Sequence, residues 1–391
     1  MANTTLKSLE MLRRLIGYDT TSRDSNLALI DYVRGYLSDL GVPSELVHHE
    51  TGKKANLYAT LGPSDRAGVC LSGHTDVVPV DGQEWDTNPF ELTEKNGRLY
   101  GRGTSDMKTW LAVALAYAPA FLERGPETPI HLAFSYDEEV GCIGIRRLIA
   151  TLKDRPLRPL MCIVGEPTEM KVVRAHKGKH SYRCRVRGFE SHSALTPRGV
   201  NAIEYAAAVI VKLRAMANRK RDGGPFDREF DVPYTTVHTG VIRGGTQLNI
   251  VPKDCEFVFE FRHLPQDDPD ALFAEIKSYA ETALEPEMRT VAPDAGFSWE
   301  RMTVIPGLDT AEEEAVTTFT KGLTGANSTA KVAFGTEAGL FQKSGIPTII
   351  CGPGSIEQAH KPNEFIAIEQ VAACEALMER LIDKLCRPAR S

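Results

Sequence analysis

The stretch CLSGHTDVVPV, residues 70–80, decides the fold and raises the first chemical question. An apolar run is interrupted by His74 and Asp76, and Pro79 ends any regular strand. A histidine and a carboxylate two residues apart are either a turn or half of a metal site. The run itself, GVCLSG (68–73), is too continuously apolar for a sheet with one wet face, so it reads as a strand buried on both sides. PIHLAFSY (129–136), PLMCIVG (159–165) and IPTIICG (346–352) read the same way. Helical stretches alternate with these runs. SNLALIDYVRGYLSDLG has apolar residues at Leu27, Ile30, Val33, Leu37 and Leu40, with Ser25 as the expected cap and Gly41 as the stop. TWLAVALAYAPAFLERG, with Pro119 inside, reads as a core helix and not a membrane span. The expectation is an α/β domain with a mostly parallel sheet and helices on both faces.

Near residue 181 the pattern changes. SYRCRVRGFE (181–190) and CEFVFEFRHLP alternate polar with apolar, as strands with one polar face do, and the helical stretches NAIEYAAAVIVKLRAMA and DALFAEIKSYAETAL accompany them. This composition predicts a smaller α+β segment at 182–295, inserted into a discontinuous domain of 1–181 and 296–391.

Composition narrows the functional classes. The 391 residues carry a net charge of −6, and the short RKRD run at 219–222 is the densest basic cluster, which argues against a nucleic-acid partner. The first twenty residues lack the unbroken apolar core of a signal peptide, and no apolar run reaches a membrane span, so a cytoplasmic location and no membrane partner are expected. The eight cysteines form no CxxC pair, so any metal must be held by histidine and carboxylate.

Acidic and histidine side chains follow each buried run: His74 and Asp76, then Asp137, Glu138 and Glu139, then Glu166, and finally His360 in GPGSIEQAHKPNEF. In open α/β sheets ligands gather beyond the carboxyl ends of the strands, so these groups should converge, with Asp106 of YGRGTSDMK able to join them. Two histidines and three carboxylates, one of them bridging, fit a pair of divalent metals about 3.5 to 4 Å apart. Two such ions contribute four positive charges, which three carboxylates and a hydroxide neutralise. Each residue also has a plainer reading: His74 as a loop histidine, Asp106 as a helix cap, the paired glutamates as a solvated turn, Glu166 as a turn residue before Pro167.

The segments SGHTDVVP, LYGRGTSDMK, DEEVG, VGEPT, SHSALTPRGVNAIE, GGTQLNIVP and HKPNEF together resemble the dinuclear zinc deacylases and peptidases, over nearly the whole chain. That resemblance implies that His74 and Glu166 hold one zinc, Glu139 and His360 the other, and Asp106 bridges. Cobalt and manganese suit the same ligands. It implies that Asp76 accepts the ring N–H of His74, that Glu138 is the general base, and that His192 stabilises the oxyanion. Asn249 and Arg262 match positions that bind the substrate α-carboxylate. The inserted segment would be a lid and dimerisation domain in a homodimer. The implied activity is deacylation of a small-molecule N-acyl amino acid, foremost N2-acetyl-L-ornithine to ornithine and acetate in arginine biosynthesis. Succinyl-diaminopimelate, another N-acyl amino acid or a dipeptide are the alternative substrates, and a non-catalytic amino-acid-binding protein is the alternative of another class. One departure from the family pattern, Thr109 and Trp110 where many members have glycine after DMK, bears on loop shape or substrate access.

Overall fold

A computed structural model describes residues 6–387, so the first five residues of the stretch read for a signal peptide lie outside the described residues. The chain divides into two compact units. The first comprises the described residues up to Ala175, Leu308–Lys331 and those from Thr336 onward; the second comprises His176–Gly307 with Val332–Gly335.

In the first unit the four apolar runs form adjacent strands. Ile130–Ser135, Val69–His74, Met161–Val164 and Thr348–Ile350 run in that spatial order, all parallel. Val69–His74 and Ile130–Ser135 are buried at every position, as their unbroken apolar character requires. Antiparallel strands flank this core: Ala55–Leu61 pairs with Ile130–Ser135, and Ser44–His48 pairs with Ala55–Leu61. The sheet as a whole is therefore mixed, with parallel order where the site forms.

Neighbouring residues on one strand show that both faces are covered. Gly73 faces the helix Lys108–Glu123, where an added Cβ would meet Leu111 Cδ1 at 2.8 Å. Ser72, pointing the other way, hydrogen-bonds Glu337 at 2.6 Å, just before the helix Ala338–Lys343. Trp110 packs so closely on the end of Met161–Val164 that a Cβ on Gly165 would lie 2.0 Å from its ring. Trp110 is fully buried, and Thr109 bonds the Thr104 carbonyl at 2.6 Å, so the departure after DMK fills the core beneath the loop. The helix expected over SNLALIDYVRGYLSDLG starts one residue later than its cap at Ser25 implied. Leu27–Asp39 has Asn26 at its N-cap; the Asn26 side chain is committed to Ala55 and Thr75, while Ser25 Oγ accepts the Leu27 N–H. Gly41, at φ +74°, follows the stop.

The second unit holds a four-stranded antiparallel sheet in the order Thr236–Gly244, Asp254–His263, Gly178–Arg187, Gly296–Ile305. Cys255, Phe257, Phe259 and Phe261 point to the buried face, where the ring of Tyr182 stacks on Phe273 at 4.1 Å. The long helix Ala202–Gly223 buries Ala202, Ala206, Val209, Leu213 and Met216, a helical stripe, and Asn201 caps it by accepting the Ile203 and Glu204 N–H groups. Compared with the expected limits of 182 and 295, this unit extends at both ends. Gly178–Arg187 begins before the alternation is visible, and Gly296–Ile305 pairs with it along its length. The RKRD run lies in the last turns of Ala202–Gly223, with Arg219 on Glu275, Lys220 on Asp267 and Arg221 on Asp222. Its charge is answered within the chain. No helix among the described residues is long and apolar enough to cross a membrane.

Candidate metal centre

The four parallel strands place their carboxyl ends at one edge of the first unit, and the side chains beyond them meet there. His74 is the last residue of its strand and is 1% exposed. Its Nε2 lies 3.1 Å from Asp106 Oδ1 and 4.0 Å from Glu166 Oε1. His360 Nε2 lies 3.3 Å from Asp106 Oδ2 and 3.0 Å from Glu139 Oε2. Asp106 thus turns one carboxylate oxygen to each histidine. It caps no helix: the N-cap before Lys108–Glu123 is Met107, and the cap makes no side-chain hydrogen bond.

Donor atoms of His74, Asp106 and Glu139 lie within 4.8 Å of one another, as do those of His74, Glu138 and Glu166. Asp137 turns away to an ion pair with Lys54 and adopts φ +55°, a left-handed conformation that swings the following glutamates toward the cluster.

Asp76 makes a different contact from the one expected. His74 Nδ1 lies 2.8 Å from the Asp76 backbone carbonyl, whereas the nearest Asp76 carboxylate oxygen is 3.6 Å away. The carbonyl is therefore the acceptor that fixes the tautomer. The carboxylate is drawn off the ring by other donors. That carboxylate accepts Ser22 Oγ at 2.7 Å and the N–H groups of Glu138 and Glu139 at 3.1 and 3.3 Å. Asp76 holds the glutamate loop as well as the histidine.

Burial shapes the proton affinities. Desolvation, reinforced by Glu139 and Asp76 and opposed by His74, lifts Glu138 to about 8. Desolvation and the field of Asp106 also raise Glu139 and push Glu166 well above the ordinary carboxylate range. Hydrogen bonds that the His360 ring donates to Asp106 and Glu139 raise it to about 10. For His74, burial works against charging, yet the Asp106 hydrogen bond and the fields of Glu166, Asp106 and Asp76 win and raise it well above 6.5. Every acid in the pocket favours a positive neighbour. Nitrogen and carboxylate oxygen donors without thiolate, acids in excess of histidines, and a carboxylate spanning two imidazoles fit a pair of divalent cations.

The remaining expected site residues belong to the second unit. His192 is exposed and caps the short turn Ser193–Arg198 by accepting the Ala194 N–H at Nδ1, 3.1 Å away. A backbone bridge from His192 to Ile250 sets it beside Asn249, whose carbonyl accepts the Ser193 N–H. Arg262 pairs through Nε with Glu260 at 2.8 Å.

Three buried groups escaped the motif reading. Cys142 Sγ lies 3.0 Å from Glu138 Oε1. Glu337, fully buried, accepts Ser72 and Ser135 hydroxyls at 2.6 and 2.8 Å, so it braces two strands. Glu364 sits between the Asp106 and His360 loops. Only its place before the apolar strand Phe365–Ala367 hinted at burial.

Comparison with known proteins finds relatives over nearly the whole chain. Acetylornithine deacetylase from Myxococcus xanthus is 34% identical over 388 residues, covering 96% of each chain, and that from Proteus mirabilis is 35% identical over 397 residues, covering 97% of this chain and 96% of its own. Among solved structures, the M20 family metallo-carboxypeptidase of Sulfolobus solfataricus superposes with a TM-score of 0.74 at 19% identity, over 96% of this chain and 98% of its own. Aminopeptidase PepT of Bacillus cereus gives 0.71 at 23% identity, over 97% and 98%. Residues 70–384, which carry all five residues grouped around Asp106, match the model of peptidase family M20/M25/M40, and the chain belongs to that family.

Proposed function

We propose that the chain is a metal-dependent amide hydrolase that cleaves N2-acetyl-L-ornithine to L-ornithine and acetate, as a cytoplasmic enzyme of arginine biosynthesis. The substrate follows the curated relatives, which bear the name acetylornithine deacetylase and match over nearly their whole length. The observation that carries the chemistry is Asp106, reaching His74 with one oxygen and His360 with the other. In this reading His74 and Glu166 hold one divalent ion, Glu139 and His360 the other, and Asp106 bridges. Zinc suits this donor set best, with cobalt as a competent substitute. Bound there, the ions polarise the amide carbonyl and lower the pKa of the attacking water from about 15.7 toward about 7.

Glu138 takes a proton from that water as its oxygen adds to the acyl carbon, then delivers it to the amine nitrogen as the C–N bond breaks. The Cys142 thiol and the Asp76 carboxylate hold its side chain and its backbone. In the neutral His192 ring, acceptance at Nδ1 leaves the proton on Nε2, ready to donate to an oxyanion. Asn249 and the Arg262 guanidinium, steadied at Nε by Glu260, are assigned to the α-carboxylate. The second unit, with its own aromatic core, serves as lid and dimerisation domain of a homodimer. A purely binding protein has no use for a carboxylate kept beside the ligands and bonded to a thiol. Comparative turnover of acetylornithine, succinyl-diaminopimelate and acetylmethionine tests the substrate: acetylornithine is expected to lead, and negligible acetylornithine turnover refutes the assignment.

A further inference from the structure

The loops bearing Asp106 and His360 leave the same end of a three-stranded sheet, because Arg98–Tyr100 and Phe365–Ala367 pair antiparallel. Glu364 lies between them, 1% exposed. Its Oε2 accepts Arg102 Nη1 at 2.7 Å and the Gly103 N–H at 3.1 Å; its Oε1 accepts the Ser105 and Asp106 N–H groups at 2.7 and 3.1 Å. Four donors converge on one carboxylate, three of them from the backbone that ends at Asp106. Arg102, equally buried, gives Nη2 to Gln83 Oε1 at 2.7 Å, and Gln83 Nε2 donates to the His360 carbonyl at 3.0 Å. A continuous hydrogen-bonded path therefore joins the Asp106 backbone to the His360 backbone without touching a donor atom of either side chain. His360 needs such a hold, since its φ of +64° is one that residues with a side chain seldom adopt unless their surroundings impose it.

We propose that Glu364, Arg102 and Gln83 are positioning residues that preset Asp106 against His360 and thereby set the affinity of the ion assigned to Glu139 and His360. This inference rests on the two-ion reading of the site. An ion held by side chains on separate loops loses affinity when their relative position relaxes, and outer contacts of this kind change metal affinity by about 10- to 100-fold.

Calorimetric titration of the metal-free full chain with Zn²⁺ alone tests it, using wild type, Gln83→Leu, Glu364→Gln and His360→Ala. The binding step missing in His360→Ala identifies the ion in question. Gln83→Leu removes all three hydrogen bonds of a half-buried side chain, those with His360, Arg102 and Trp85, and leaves Glu364 in place. It is expected to weaken that step about tenfold, leave the other step unchanged, and keep the melting temperature of the metal-free chain. Glu364→Gln, which sets an NH2 among N–H donors, is expected to weaken the same step by more. Wild-type affinity at that step in Gln83→Leu overturns the inference even if Glu364→Gln fails to fold, and so does a lowered melting temperature with both affinities intact. A wild-type chain that binds no ions refutes instead the reading on which the inference rests.

Discussion

The two units dispose of similar charges in opposite ways. At the strand ends of the first unit Asp76, Asp106, Glu138, Glu139 and Glu166 crowd around His74 and His360, with the acids in excess and largely out of water. On the other face of the second unit's sheet, Arg183 and Arg185 pair with Glu256 and Glu300, open to water in part and with two positive charges balanced by two negative ones. Burying unbalanced charge is costly, whereas exposed pairs are nearly neutral in effect. An arrangement that folding alone disfavours points to a bound counter-charge. A balanced exposed face needs no such explanation.

Substitutions can break this contrast, beginning with the largest effect. Asp106→Ala should abolish amide cleavage and reduce the metal content of the purified chain, measured together by assay and elemental analysis. Full metal content would show that Asp106 does not bridge. Glu138→Gln should retain metal while kcat falls about 10²- to 10⁴-fold, the range for losing general acid–base catalysis. In the second unit the sensitive element is the aromatic core and not the charges. Phe259→Ala, from a fully buried position, should cost about 3–5 kcal/mol by denaturant unfolding, with the metal content of the folded chain unchanged.

A smaller effect concerns His131, on Ile130–Ser135 and stacked on Tyr58 at 5.5 Å. Burial, aided by Arg155, lowers its pKa to about 4, against about 6.5 in an unfolded chain. The unfolded state therefore binds the proton first, and the stability from keeping this ring neutral, complete above about 6.5, declines as pH falls toward 4. His131→Phe should flatten that part of the stability curve, and an unchanged curve would contradict it. Least of all, Arg185→Ala should leave melting temperature and kcat where they are, since its partners remain solvated.

The α/β core was legible because buried parallel strands need apolar runs, and three of the four lead within a few residues to the cluster: His74, the glutamates after Ser135, Glu166 after Val164. The alternating strands of the second unit were legible for the complementary reason, though not their limits. Gly178–Arg187 starts with residues whose alternation is masked, and Gly296–Ile305 shows its allegiance only through pairing. Contacts that depend on loop conformation stayed hidden. Nothing in HxD spacing distinguishes the Asp76 carbonyl from its carboxylate under His74, and a glutamate in HKPNEF looks like a solvated turn until four donors are seen around it.

The central claim is that five side chains grip two divalent ions. Elemental analysis of freshly purified protein, followed by removal and return of the metal with acetylornithine turnover as the readout, tests it most directly. The account predicts close to two ions per chain, loss of cleavage on chelation and recovery with zinc or cobalt. A folded chain that carries no such ions, and cleaves no amide when they are supplied, would contradict it.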